Sequence, residues 1–223
     1  MTLAEKLRAH GLFLRGLVRL DAREIESHGF PSDKSCCALV GNIGSSYWED
    51  FSGSAEYRDG LADPLDRWSR RLAEAIAAEF ALLPVYPFEG PPYYPFQQWA
   101  RRAEGLAKSP LGIMMHPEHG LWHSYRFALL GADIDVETAS PVVSPCLDCA
   151  DQPCLHRCPA DAFSDNGYDV DACAGYLRST PRAECHALGC MARNVCPVAP
   201  QLRYLPAQAR FHLRAFLQAR ANS

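Results

Sequence analysis

Residues Pro145–Phe163 read PCLDCADQPCLHRCPADAF and place four cysteines within thirteen residues, the last of them followed by proline. Such a dense run of thiols is typical of a disulfide framework, a zinc site or the ligands of an iron–sulfur cluster. The positions of the other cysteines and the character of the whole chain decide between these three interpretations.

The chain has 223 residues, of which 48% are apolar and 22% are charged, and its net charge is -4. These values are ordinary for a globular protein with a substantial core and indicate no general affinity for nucleic acid. The N-terminal residues include Glu5, Lys6 and Arg8 and lack the apolar centre of an export signal. No run of eighteen apolar residues predicts a membrane span. We therefore expect a soluble cytoplasmic protein without a membrane partner, in which clustered cysteines are metal ligands or redox groups rather than disulfides.

The cysteines divide the chain into two parts, because only Cys36 and Cys37 precede residue 145 and the other eight lie between Cys146 and Cys196. Adjacent residues of a strand point to opposite faces, so Cys36 and Cys37 cannot chelate one metal, and we expect them to pack in a core. We predict an α+β protein with three segments: an α/β domain at 1–140, able to bind a cofactor or substrate, a cysteine-rich module at 141–200, and a C-terminal helix at 201–223.

Apolar periodicity gives the elements of the first segment. In DPLDRWSRRLAEAIAAEF, Asp63 is expected to cap a helix and Pro64 to take its first position. The remaining predictions are strands at 12–20, 36–44 and 81–86, helices near 4–11 and 96–107, and a hairpin that joins strands at 111–115 and 123–131. Within that hairpin, HPEHGLWH carries three histidines that suggest a metal site, but Pro117 and Gly120 favour a structural turn.

The spacing of the first four cysteines, C-x2-C-x4-C-x3-C-P, is close to the bacterial ferredoxin run C-x2-C-x2-C-x3-C-P, whose fourth cysteine binds the other cluster of a pair. The last four cysteines of the chain, which are Cys173, Cys185, Cys190 and Cys196, also end in Cys-Pro. Two four-iron clusters need eight thiolates, and eight cysteines are present after position 145. The crossed pattern predicts two ligand sets: Cys146, Cys149, Cys154 and Cys196 for one 4Fe–4S cluster, and Cys158, Cys173, Cys185 and Cys190 for the other.

Two alternatives remain open from the residues. The gaps between the cysteines of the second ligand set match no compact ferredoxin run. One alternative is therefore a protein with a single cluster and several spare thiols. Zinc is the other alternative, although structural zinc sites normally use two close pairs of ligands and this region has one C-x2-C. His156 and His186 are the histidines that could complete a zinc shell.

Several stretches resemble bacterial epoxyqueuosine reductases. GIMMHPEHGLWHSYRFALL, residues 112–130, resembles their H-P-x-x-G-x-W stretch and a similar stretch of CblC-type cobalamin-processing proteins. CPADAF, DACAGYL and VCPV then follow in the order of the ferredoxin part of the reductases. The likeness covers about residues 85 to 200. The chain departs from the reductases at AEGLAKSPLG, which lacks their G-K-N, and in the spacing of its last three cysteines.

The resemblance implies a compact nitroreductase-like α/β domain fused to a ferredoxin-like iron–sulfur domain. In relatives, the first domain holds a corrinoid or a flavin and the second supplies two clusters. We therefore expect an iron–sulfur oxidoreductase that takes electrons from a redox partner protein and passes them to a small-molecule or tRNA substrate, or to cobalamin or flavin. The alternative is a ferredoxin-like carrier that docks a partner enzyme without turnover. No residue is assigned a catalytic or organic-cofactor-binding role.

Overall fold

A computed structural model describes residues 1–134, 143–164 and 167–221 of the chain. Their structure is mixed α/β, as predicted. Contacts between Cα atoms divide the chain into two units. The N-terminal unit contains Met1–Leu106 and the segment that starts at His123 and precedes Val143. The cysteine-rich unit contains Ala107–Trp122 and the segment from Val143 onward.

The helices, in chain order, are α1 (Leu3–Arg8), α2 (Ala22–His28), α3 (Trp48–Ser52), α4 (Ala55–Arg58), α5 (Pro64–Phe80), α6 (Phe96–Glu104), α7 (Pro153–His156), α8 (Val170–Ser179), α9 (Glu184–Leu188), α10 (Met191–Asn194) and α11 (Pro206–Ala219). The strands are β1 (Phe13–Arg19), β2 (Cys36–Ile43), β3 (Leu83–Val85), β4 (Ala107–Lys108), β5 (Met114–Met115), β6 (His123–Gly131), β7 (Phe163–Ser164) and β8 (Gly167–Tyr168).

A four-stranded antiparallel sheet in the order β1-β2-β6-β3 forms the centre of the N-terminal unit. The two central strands are buried over most of their length: β2 from Cys36 to Asn42 and β6 from Phe127 to Gly131. A β-bulge shifts the register of β1 between Leu14 and Gly16.

Helix α5 buries the apolar stripe that its sequence predicts, including Trp68, Leu72 and Ile76. Pro64 occupies its first position, as expected. The predicted role of Asp63 is wrong in one respect. Its backbone is left-handed, with φ 50°, and its side chain makes no capping hydrogen bond, because side-chain capping normally needs an extended backbone at this position.

The predicted hairpin between 111–115 and 123–131 is wrong, although the turn within it is present. β5 pairs with β4, whereas β6 joins β2 and β3 in the central sheet. β6 has nine residues and is buried over much of its length, so its backbone N–H and C=O groups need hydrogen-bond partners on both edges, and two residues of β5 cannot provide them. The turn itself closes with backbone hydrogen bonds of 2.9 Å in both directions between His116 and Gly120.

The cysteine-rich unit is built from short helices and two small hairpins. Proline and aspartate start several of these helices: Pro153 begins α7, Pro206 begins α11, and Asp169 accepts a hydrogen bond from Ala172 at the start of α8. Gly189, with φ 81°, ends α9. In the part of the chain that the structure covers, no helix combines the length and apolar character that crossing a bilayer requires.

Candidate metal centres

Four of the predicted ligand thiols line one cavity of the cysteine-rich unit, together with Leu121 and Pro197. These thiols are Cys146, Cys149, Cys154 and Cys196. The first three come from a local turn and from α7, while Cys196 follows α10. The structure therefore brings together the same four residues that the crossed ferredoxin pattern groups.

Apolar side chains surround this first group of thiols. Leu111, Met115, Leu121 and Ala192 form a buried cluster with Cys196, which is 5% exposed. The side chains packed against that cluster include Cys146, Cys154, Cys158 and Phe163. An apolar enclosure of this kind favours neutral thiols unless a bound cation compensates the thiolate charge.

The pKa values of these thiols reflect both burial and their closeness to one another. Burial raises the pKa of Cys154, and the thiols of Cys196, Cys146 and Cys149 raise it further. The pKa of Cys146 is likewise raised by burial and then by Cys196 and Cys149. Four thiolates cannot share this volume without positive charge among them.

The HPEHG turn packs against the segment that carries Cys196. Gly120 has φ +58°, and a Cβ atom at this position would lie 2.5 Å from the backbone oxygen of Val198. The rings of His116 and His119 stack at 4.0 Å, and Nδ1 of His116 accepts hydrogen bonds from the backbone N–H groups of Glu118 and His119. The turn thus has the structural role that Pro117 and Gly120 predict.

The remaining four thiols form a second group. Cys158 follows α7, Cys173 lies in α8, Cys185 lies in α9, and Cys190 precedes α10. The pKa of Cys190 is raised first by desolvation and then by Cys158, Cys185 and Cys173. Cys185 has its pKa raised by burial and then by Cys173 and Cys158. Cys185 and Cys190 therefore lie close enough to Cys158 and Cys173 for the thiolate charges to interact, although the sequence spacing left this set the less certain one.

Tyr168 is a member of the second site that the sequence analysis missed. Its hydroxyl is hydrogen bonded to the Cys173 thiol, which lowers the pKa of that thiol against the larger effect of burial. The Tyr168 ring stacks on Phe163 at 4.9 Å across the β7–β8 hairpin. The only sequence signal is an aromatic residue shortly before Cys173, which by itself identifies nothing.

Backbone N–H groups complete the surroundings of the sulfurs. Ala162 N donates to Cys158 Sγ at 3.4 Å. Hydrogen bonds to cluster sulfurs are one of the means by which proteins set the reduction potential of iron–sulfur clusters. The other such donors are Met191 to Cys185, Arg193 to Cys190, and Val198 to Cys196.

The donor set fits a four-iron cube. All ten cysteines are free of disulfides. Within residues 1–134, 143–164 and 167–221, no three His, Cys, Asp or Glu side chains converge closely enough to hold one metal ion. A cube instead carries one iron per thiolate, so its ligand sulfurs surround a volume rather than a point. Four thiols around a shared cavity have that arrangement.

Cys36 and Cys37 lie in β2 of the N-terminal unit, whereas both groups of thiols belong to the cysteine-rich unit. Both are completely buried, as the prediction of core packing requires. Cys36 Sγ accepts a hydrogen bond from Arg19 and donates one to the backbone oxygen of Ala132, at 2.9 and 3.1 Å. Burial raises the pKa of Cys37 far above that of a free thiol. These are structural cysteines.

The N-terminal unit contains a buried ionic network that the sequence analysis did not identify. Arg15 donates from Nε to Glu104 Oε1 at 3.0 Å and from Nη1 to the backbone oxygen of Asn42 at 3.0 Å. Tyr125 donates its hydroxyl to the same glutamate, and His123 Nδ1 lies 3.4 Å from Nη2 of the arginine. Burial raises the pKa of Glu104, and the Arg15 charge opposes that shift.

Comparison with known proteins gives structural neighbours and no sequence match. No family model and no curated protein matches the chain. The B12-trafficking protein CblC from C. elegans is 13% identical, with 94% of this chain and 88% of that chain covered and a TM-score of 0.51.

Epoxyqueuosine reductase is a further structural neighbour. The enzyme solved with a tRNA-Tyr epoxyqueuosine-modified stem loop is 17% identical, with a TM-score of 0.48. The enzyme from Bacillus subtilis is 16% identical, with a TM-score of 0.47. In both cases 93% of this chain and 69% of the other chain are covered. At such identities the likeness concerns the fold alone.

Proposed function

We propose that the chain is an iron–sulfur redox protein whose cysteine-rich unit, with a ferredoxin-like ligand pattern, binds two 4Fe–4S clusters. The first cluster takes the thiolates of Cys146, Cys149, Cys154 and Cys196. The second takes those of Cys158, Cys173, Cys185 and Cys190. The observation that carries the proposal is the cavity that Cys196 shares with the three thiols of the local run, because a two-cluster ferredoxin needs such a crossing ligand.

The chain's own residues would supply the conditions that such clusters need. The thiols bind as thiolates, and the metal charge offsets the cost of removing them from water. Backbone N–H groups and the Tyr168 hydroxyl donate to the sulfurs, and apolar side chains limit the access of water to the first group. The clusters, when bound, supply single-electron transfer.

For the N-terminal unit we propose a nitroreductase-like domain that holds the acceptor of these electrons, either a substrate or a corrinoid or flavin. Cobalamin is the first ligand to test, since the B12-trafficking protein shares the fold. A donor protein, a small-molecule or tRNA substrate and a cytoplasmic location stay predictions from the sequence.

Metal analysis of anaerobically purified and reconstituted protein tests the metal centres. We expect about eight irons and eight sulfides per chain, with absorption near 400 nm. About four irons would remove the second ligand set. Protein that contains zinc in place of iron and sulfide would contradict the proposal.

Ligand binding tests the proposed acceptor. Protein with intact clusters is titrated with cobalamin and with flavin mononucleotide, and the absorption change of each ligand is recorded. Tight binding of either supports the reductase. Full iron content without binding of either would instead support the carrier that docks a partner enzyme.

A further inference from the structure

A second cavity of the cysteine-rich unit, of about 160 Å³, lies between the segment from Leu188 to Asn194 and helix α11. A protein cavity of about 150 Å³ accommodates benzene. The volume therefore suits one six-membered ring. Its walls include Trp122, Cys190, Arg193, Tyr204, His212 and Phe216.

Four of the eleven residues that line this cavity are aromatic: Trp122, Tyr204, His212 and Phe216. Trp122 and Tyr204 meet edge to face, with ring centroids 5.6 Å apart. The Tyr204 ring in turn lies 5.8 Å from that of His212. Aromatic rings pair well in offset and edge-to-face geometries, so these walls favour a flat ring over an aliphatic chain of equal volume.

The cavity also carries the positive charge of Arg193. The guanidinium of Arg193 lies 4.7 Å from the centroid of Trp122 and 4.4 Å from that of Tyr204. It donates to the backbone oxygen of Leu121, but its Nε is buried without a hydrogen-bond partner, as is Nε1 of Trp122. Neither Asp nor Glu lines the cavity among the described residues. A guanidinium with an Nε–H group that has no acceptor among the described residues can donate that hydrogen bond to the carboxylate of a ligand.

We propose that this cavity binds a single-ring aromatic carboxylate, with Arg193 supplying the charge that selects an anion. Cys190 lies in the same wall. The position of the ligand beside the second cluster rests on the proposed function, whereas the binding itself rests on the cavity.

The test compares ligands that differ in charge or in ring character. Equilibrium dialysis of the purified holoprotein is carried out with benzoate, benzamide, benzylamine and cyclohexanecarboxylate. We expect benzoate to bind at least about tenfold more tightly than each of the others, since a hydrogen bond to a charged group is worth about that factor or more. Equal affinities for benzoate and benzamide, or no binding of benzoate, would overturn the inference.

Two matched variants locate the charge. Arg193→Gln is expected to weaken benzoate binding about tenfold or more and to remove its advantage over benzamide. Arg214→Gln removes the same charge from an exposed position of α11 outside the cavity, and it should leave the affinity within about twofold. Unchanged benzoate affinity in Arg193→Gln would contradict the proposal. If that variant fails to fold, the ligand series on the unaltered protein still decides.

The proposed clusters and the proposed ligand site can be tested separately. Iron analysis decides the first, and dialysis decides the second in protein with or without iron. If both hold, benzoate should change the electron paramagnetic resonance spectrum of the reduced second cluster. An unaltered spectrum at saturating benzoate would place the ligand away from Cys190 and contradict the inference.

Discussion

Cys196 and Cys154 lie in the wall of one cavity, although helices α8, α9 and α10 separate them along the chain. The turn after α10 brings Cys196, the last cysteine of the chain, back to Cys146, Cys149 and Cys154. A zinc knuckle or a local loop would not need this return, whereas a pair of clusters that share their ligand runs does.

Replacing Cys196 with alanine should therefore lower the iron content from about eight to about four or fewer per chain. Cys37→Ala is the matched control, since Cys37 is also a buried free cysteine but lies in β2 of the N-terminal unit. It should keep the full complement of iron. Iron and sulfide are measured after identical anaerobic reconstitution. Full iron in Cys196→Ala, or equal losses in both variants, would remove Cys196 from the ligand set.

The grouping of Cys146, Cys149 and Cys154 around one cavity could be predicted from the sequence, because their spacing is a local property. The crossing of Cys196 followed from one additional fact, that Cys-Pro occurs twice. The hydrogen bond from Tyr168 to Cys173 could not be predicted in this way, since it depends on how a two-stranded hairpin lies against α8.

In the fold, the elements with strong apolar patterns were predictable and their partners were not. β2, β6 and α5 are long apolar or amphipathic segments, and the structure forms each of them near its predicted bounds. The sequence assigned β6 to its neighbour β5, because local hairpins are the commonest strand connection. The buried Arg15–Glu104 pair joins β1 to α6, and an ion pair between distant segments leaves no periodic signal in the sequence.

Gly120 should be needed to position the segment that carries Cys196. Alanine there would overlap with the backbone oxygen of Val198 in addition to the strain of φ +58°. Gly112→Ala is a matched control, since Gly112 has φ +77° in the same unit but nothing within 4 Å of an added Cβ. We expect Gly112→Ala to cost about 1 kcal/mol and Gly120→Ala about 1–3 kcal/mol more.

The two glycine variants are compared by thermal denaturation of the holoprotein and by the iron that remains after gel filtration. Gly120→Ala should lose iron more readily than Gly112→Ala, because the displaced segment carries a ligand of the first cluster. Equal melting temperatures and iron contents would show that the contact with Val198 does not position Cys196.

The Arg15–Glu104 pair should couple β1 to α6 energetically. Their side chains are 2% and 6% exposed, so Glu104→Met leaves an uncompensated buried charge and should cost about 3–5 kcal/mol. The double variant Arg15→Met/Glu104→Met should recover more than half of that loss, since both charges are gone. Glu79→Gln, which breaks the exposed pair with Lys6, should cost less than about 1 kcal/mol.

Urea unfolding followed by tryptophan fluorescence measures these differences, because Trp48, Trp68 and Trp99 lie in the N-terminal unit. The single variant Arg15→Met completes the comparison, and a double variant whose loss of stability equals the sum of the losses in Arg15→Met and Glu104→Met would show that the pair is not coupled.

Glu56 should make the N-terminal unit sensitive to acid. The Arg71 guanidinium holds the pKa of this carboxyl below its usual range, against an opposing effect of burial. Because the unfolded chain lacks this partner, its Glu56 has the higher pKa, near the reference value of about 4.3. The contribution of Glu56 to stability is therefore present above the unfolded pKa and is lost as the pH falls toward the folded value.

Glu56→Gln should lower stability at pH 7 and flatten the loss of stability between about pH 5 and pH 3. Arg71→Gln should have the same effect through the other partner, and the double variant should add little to either. The free energy of unfolding is measured by urea titration at each pH, and an acid-induced loss as steep in Glu56→Gln as in the unaltered protein would assign it to other carboxylates.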